Sequence, residues 1–189
     1  MKRRTVVFAA GVSAAVPGLV LAAKEKDKDK ERAEVRKAAS DALAAVYKAQ
    51  PAARKAVESA AGYAAFSNFG MKILIAGSGT GKGTAVNNKT KSVTYMKMAE
   101  LQAGLGFGVK KFQLVWVFET PEALDKFVNS GWEIGGQATA SAKSGESGAS
   151  YQGAVSVSPG VWLYQVTGNS LAVELTAKGT KYFKDGDLN

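Results

Sequence analysis

Gly77-Ser78-Gly79-Thr80-Gly81-Lys82-Gly83 is the first stretch that could do chemistry, because glycines around a lysine are the material of a phosphate-binding loop. The register does not fit. In GxxxxGK[ST] the first glycine would fall at Ala76, Gly83 stands where Ser or Thr should follow Lys82, and Asn87-Asn88-Lys89-Thr90 reads as a turn, not a helix. Asp185-Gly186-Asp187 has calcium-loop spacing but lacks the other ligands and the closing glutamate, so it reads as a solvated tail. The 189 residues include no cysteine and no histidine. That excludes disulfides, thiol nucleophiles, zinc-thiolate sites and a lipidated N-terminal cysteine. It also excludes Ser-His-Asp and HExxH chemistry. No carboxylate pair stands out as acid and base, so the reading is non-enzymatic, with no catalytic residue, metal or cofactor expected.

Period two accounts better for the glycines. In a strand, Gly77, Gly79, Gly81 and Gly83 leave one face bare while Ser78, Thr80, Lys82 and Thr84 form the other. Gly104, Gly106 and Gly108 repeat the pattern opposite Leu105, Phe107 and Val109, and Gly135-Gly136 adds a third such place. A bare face either bends a curved sheet or cradles a ligand. Lys82, Lys89, Lys91 and Lys97 surround the first glycine strand, and Lys110-Lys111 follows the second. With Leu105 and Phe107 supplying apolar contact, these lysines are candidates to meet anionic headgroups; the alternative is a solvated lysine face.

Charge points the same way. The full chain carries +9, and removing Lys2, Arg3 and Arg4 leaves +6. An excess of this sign favours anionic partners. Only Arg32, Arg36 and Arg54 lie beyond residue 4, so the bidentate groups that read nucleic acid are scarce, and lysine point charges suit a membrane surface better.

The elements that must position these residues follow from the pattern. Lys2-Arg3-Arg4, an apolar run to Leu21, a helix-breaking Pro17-Gly18 and small residues at Ala22-Ala23 read as a signal peptide over 1–23, cleaved after Ala22 or Ala23. An exported, periplasmic or envelope-associated protein follows. A retained anchor over Thr5 to Ala23 and a twin-arginine signal are the alternatives. Residues 24–34 form a charged linker or the frayed start of a helix. At 100° per residue, Val35, Ala39, Ala42 and Val46 share one helix face, with Lys30, Lys37 and Lys48 opposite.

A second helix runs from Pro51 to a stop at Gly62. Strands are expected at Tyr63 to Phe69, Lys72 to Ala76 and Val93 to Met98, with one buried on both faces at Phe112 to Phe118. Thr120-Pro121-Glu122 starts a helix that packs Leu124, Phe127 and Val128. Further strands are expected at Trp132 to Ala142 and Tyr151 to Val157, then a hairpin of Val161 to Val166 with Leu171 to Thr176. The fold class is α+β, with N-terminal helices packed on a glycine-rich, mainly antiparallel sheet or partial barrel in one domain.

Ser59-Ala60-Ala61-Gly62-Tyr63-Ala64-Ala65-Phe66 resembles the "A-K-G-aliphatic-A-aliphatic-F" segment of the SYLF lipid-binding domain, with Ala61 in place of the lysine. The glycine string Gly77 to Gly83, then Gln102 with Gly104, Gly106 and Gly108, is similar to that family's paired glycine blocks. Val115 to Phe127 resembles its apolar strand and "E-x-x-x-x-F" helix, through Glu122 and Phe127. The stretches beginning Gly160-Val161-Trp162 and ending Gly179-Thr180-Lys181-Tyr182-Phe183 resemble its bacterial branch. The similarity covers residues 35–189. It implies a non-catalytic domain that binds phospholipid, and in an exported protein an anionic envelope lipid or membrane surface. An envelope scaffold that binds a protein partner or a cell-wall polymer is the alternative function.

Overall fold

The computed structural model describes residues 17–68, 77–102, 112–134, 151–168, 170–171 and 180–189. Helix α1 spans Pro17–Ala49 and α2 Ala53–Ser59. Strands β1 (Gly62–Asn68), β2 (Gly77–Asn87), β3 (Val93–Gln102) and β4 (Phe112–Phe118) follow, then α3 (Pro121–Ser130). The remaining strands are β5 (Trp132–Ile134), β6 (Val155–Ser158), β7 (Val161–Thr167), β8 (Ser170–Leu171) and β9 (Thr180–Lys184). Their order is β5-β9-β3-β2-β1-β4-β7-β6, with β8 beside β7, and every pairing is antiparallel. The expected α+β fold is the one observed.

The sheet curls into a half-barrel. Strands β5 and β4 stand five positions apart, which at ~4.8 Å per strand would separate them by ~24 Å in a flat sheet. Yet the rings of Trp132 and Trp116 lie 6.0 Å apart between centroids. The interior of the curl holds Phe66, Met96, Met98, Leu114, Trp116, Phe118 and Tyr182, and α3 closes it with Leu124 and Phe127. Gly81 and Gly83 face this interior. A Cβ on Gly83 would stand 2.2 Å from the Ala65 carbonyl oxygen and 2.5 Å from the Phe66 ring, so the absence of a side chain is what admits that ring. At these two glycines the bare face is therefore filled by the protein's own core and is not a ligand cradle. Gly104, Gly106, Gly108 and Gly135-Gly136 lie outside the described residues.

The opposite face of the sheet carries α1 and α2. Ala39, Ala42 and Val46 of α1 are buried against Ala65, Val115, Val117, Tyr164 and Val166. The small side chains bring the helix backbone close to the strands, as the 100° stepping expects. Strand β4 is thus buried on both faces, Trp116 on one and Val115 and Val117 on the other. Thr120 caps α3, its Oγ1 accepting from the Ala123 N–H at 3.2 Å. Residues 24–34 lie within α1, which resolves the linker-or-helix alternative, and Pro17-Gly18 is where that helix begins.

Two differences from the sequence reading have physical causes. The strand expected from Tyr151 starts at Val155, because Gly153 takes φ +82° and Ala154 N–H bonds back to the Tyr151 carbonyl in a turn. The β7–β8 hairpin pairs Val166 with Leu171 and Thr167 with Ser170. Residues 172–176, and the expected strand at Lys72 to Ala76, lie outside the described residues. The last difference is at the C-terminal end. Thr180–Lys184 is a strand inserted between β3 and β5, and the Asp185-Gly186-Asp187 stretch that follows is not a solvated tail: Asp185 is 1% exposed. Its burial is possible because Lys97 lies alongside it.

Candidate functional site

On the face beneath α1, antiparallel register lines up one row of residues across five strands. Gln113 (β4) pairs with Ser67 (β1), Ser67 with Lys82 (β2), Lys82 with Lys97 (β3) and Lys97 with Phe183 (β9). This row is the floor of a cleft of about 870 Å³. Its roof is the stretch of α1 from Glu31 to Asp41, which contributes Glu31, Glu34, Val35, Lys37, Ala38 and Asp41. Ala99 completes the wall, and Phe183, 37% exposed, stands at the mouth. One opening therefore combines apolar wall with a floor of two lysines under a roof that carries three carboxylates.

Each floor lysine has a different partner. Lys82 pairs with Glu31 of α1, and both side chains are 41% exposed. Lys97 reaches Asp185 Oδ1 at 2.8 Å and Asp187 Oδ2 at 3.0 Å. The hydrogen bond to Asp185 raises the Lys97 pKa above the ordinary lysine value, with burial opposing and Asp187 adding to it. In return Lys97 holds the Asp187 carboxyl below the usual carboxylate range. Lys97 is thus committed to the fold, whereas the Lys82 pair is half open to water.

The C-terminal residues form a catch on α1. Arg32 Nε donates to the Leu188 carbonyl at 2.9 Å. Leu188 is buried with Val35 and Tyr95. Asn189 uses its side-chain amide as a strand would use its backbone: its Oδ1 accepts from Tyr95 N–H at 2.9 Å and its Nδ2 donates to the Tyr95 carbonyl at 2.8 Å.

The structure divides the lysines expected to act together. Lys82 and Lys97 face each other in the cleft, while Lys89 and Lys91 are exposed in the β2–β3 turn, whose start at Asn87 is ~17 Å along β2 from Lys82. Asn87 Oδ1 accepts from the Lys89 and Thr90 N–H groups and so fixes the turn. Asn88 joins it to α2 through the Val57 and Ala60 carbonyls, placing exposed Lys55 on the neighbouring helix. Leu105, Phe107, Lys110 and Lys111 lie outside the described residues. Sequence reasoning missed Glu31, Ser67, Gln113 and Asp185. The period-two pattern through Ser67 was available as a signal, but the cross-strand register was not.

Among the described residues no group of His, Cys, Asp and Glu could hold a metal ion, and no helix is long and apolar enough to cross a membrane. Fold and site together define an α+β half-barrel domain with a helix-roofed amphipathic cleft. No protein-family model matches the chain. It is 34% identical over 152 residues to the Aeromonas veronii protein named Beta cell expansion factor A. That region takes in 79% of this chain and 56% of the relative, so the chain spans little more than half of the relative's length.

Proposed function

We propose that this chain is a non-enzymatic, exported lipid-binding protein of SYLF type, cleaved after Ala22 or Ala23, that associates peripherally with anionic phospholipid. The observation that carries this reading is the cleft, where Val35, Ala38, Ala99 and Phe183 line the same opening as Lys82 and Lys97. An amphiphile has the same two chemistries joined in one molecule. The exposed Lys55, Lys89 and Lys91 supply a second, solvent-facing contact for an anionic surface, consistent with the +6 charge that remains once Lys2, Arg3 and Arg4 are removed. The test is co-sedimentation of residues 24–189 with neutral and anionic liposomes at low and high salt, beside the Lys89→Glu/Lys91→Glu variant. Binding selective for anionic vesicles, weakened by salt and by charge reversal, is expected. Equal binding to neutral vesicles, or none to either, overturns it.

A second reading, an envelope scaffold for a protein or cell-wall polymer, is favoured by a different surface. Tyr151 and Trp162 stack at 4.6 Å and 9°, and Trp162 Nε1 donates to Glu119 at 3.0 Å. Both rings are half-buried and present aromatic surface beside a carboxylate. Pull-down of an envelope component that Trp162→Ala abolishes, with liposome binding absent, selects this reading.

A further inference from the structure

The Lys82–Glu31 pair is built unlike the other contacts that hold α1 down. The C-terminal half of the helix is fixed by apolar burial of Ala39, Ala42 and Val46. At its middle the catch of Arg32 on Leu188 and the Val35–Tyr95–Leu188 cluster hold it. Glu31 lies just N-terminal to both anchorages and reaches down to the floor of the cleft. A pair that is 41% exposed at both ends contributes little to stability and exchanges partners readily. By contrast, Lys97 is bound to a carboxylate that is 1% exposed, which no incoming ligand can displace without stranding a buried charge.

We propose that the cleft is a binding site for one long-chain fatty acid, whose carboxylate takes the place of Glu31 on Lys82 while its chain lies along Val35, Ala38, Ala99 and Phe183. This deepens the lipid-binding reading and rests on it. The headgroup position follows from charge: of the two floor lysines only Lys82 can change partner, and Ser67 flanks it in register with Gln113 beyond. The single chain follows from that single exchangeable lysine. At about 30 Å³ per carbon, the share of one water molecule in the liquid, a sixteen-carbon chain needs ~480 Å³. The cleft of about 870 Å³ has room for it. Exchange at Lys82 also frees Glu31, while both anchorages of α1 stay in place.

The experiment is fluorescence titration of the full chain with cis-parinaric acid, a naturally fluorescent fatty acid, below its micelle concentration. One site per chain is expected. Lys82→Gln should weaken binding about 10-fold or more, the loss of a charge-assisted contact. Glu31→Gln should tighten it several-fold by removing the competing carboxylate, an effect that a merely structural role for the pair does not produce. Ala38→Phe should fill the cleft and abolish binding, and its circular dichroism and melting curve show whether it folds. Should that variant not fold, the opposed effects of the Lys82 and Glu31 variants carry the test. No saturable binding by the wild type, or binding insensitive to Lys82→Gln and tightened by nothing at Glu31, overturns the proposal. Liposome co-sedimentation of the same preparations keeps the two readings apart: vesicle binding without fatty-acid binding sinks the cleft site alone, and the converse sinks membrane association alone.

Discussion

Replacing Lys97 by alanine tests whether the C-terminal residues are held by charge. The Asp185 carboxylate, 1% exposed, has two donors: Lys97 Nζ at 2.8 Å and the Asp187 N–H at 3.0 Å. Removing one partner of a fully buried pair costs ~3–5 kcal/mol, whereas an exposed pair is worth ~0–1 kcal/mol. With Lys97 itself 31% exposed, this pair falls between, and Lys97→Ala should cost about 2 kcal/mol. In a domain of this size that is a fall in Tm of ~4–8 °C. Adding Asp185→Asn removes the stranded charge, so the double variant should be more stable than the sum of the two single losses by at least ~1 kcal/mol. Urea unfolding of the four proteins measures both quantities. Additivity within ~0.5 kcal/mol would refute the claim that the two groups sense each other. The pH window follows from the shifts. Lys97 has a raised pKa, so its contribution is complete below the ordinary 10.5 and is lost as pH rises through the higher folded value. Asp187 has a lowered pKa, so its contribution is present above the ordinary 3.8 and is lost as pH falls through the lower folded value. Between these limits the stability difference should be flat.

Two further outcomes are expected. Gly83→Ala should destabilise by ~2–3 kcal/mol, because its Cβ meets the Ala65 carbonyl oxygen at 2.2 Å and backbone cannot move aside as a side chain can; a chemical melt indistinguishable from wild type refutes the close approach. Tyr164 is pushed up to about 12 by burial, with Tyr151 adding to the effect, so tyrosinate absorbance should show a group that resists ionisation well above pH 10. Its protonated form is the native one, so about 2–3 kcal/mol of stability, complete below pH 10, should drain away as the pH rises towards 12.

Where local chemistry decides structure, the sequence was legible. The face of α1, the two-sided burial of β4 and the Thr120 cap were all readable from period and residue type. The glycine string was recognisable as a strand with a bare face. That this face would receive Phe66 depended on which strands curl together, which periodicity does not contain. The lysine cluster failed for a related reason. Nearness in sequence put Lys82, Lys89, Lys91 and Lys97 in one group, but a hairpin places its turn far from its middle and so splits them into two pairs. Asp185 looked solvated because its reason for being buried, Lys97, is 88 residues away in the chain. Cleft residues such as Gln113 and Ser67 carry no motif at all; only antiparallel register sets them beside Lys82.

The position of β9 bears on the order in which the molecule can be assembled. Thr180–Lys184 is inserted between β3 and β5, and the five residues after it hold α1 at Arg32 and β3 at Tyr95. A chain emerging from the ribosome, N-terminus first, has its first helix and its third strand long before it has the residues that join them. Until about residue 180 is out, β3 keeps an open edge and α1 lacks its catch. Contacts so distant in sequence close slowly and late. A nascent chain built this way cannot close the edge of β3 or fasten α1 until those late residues arrive.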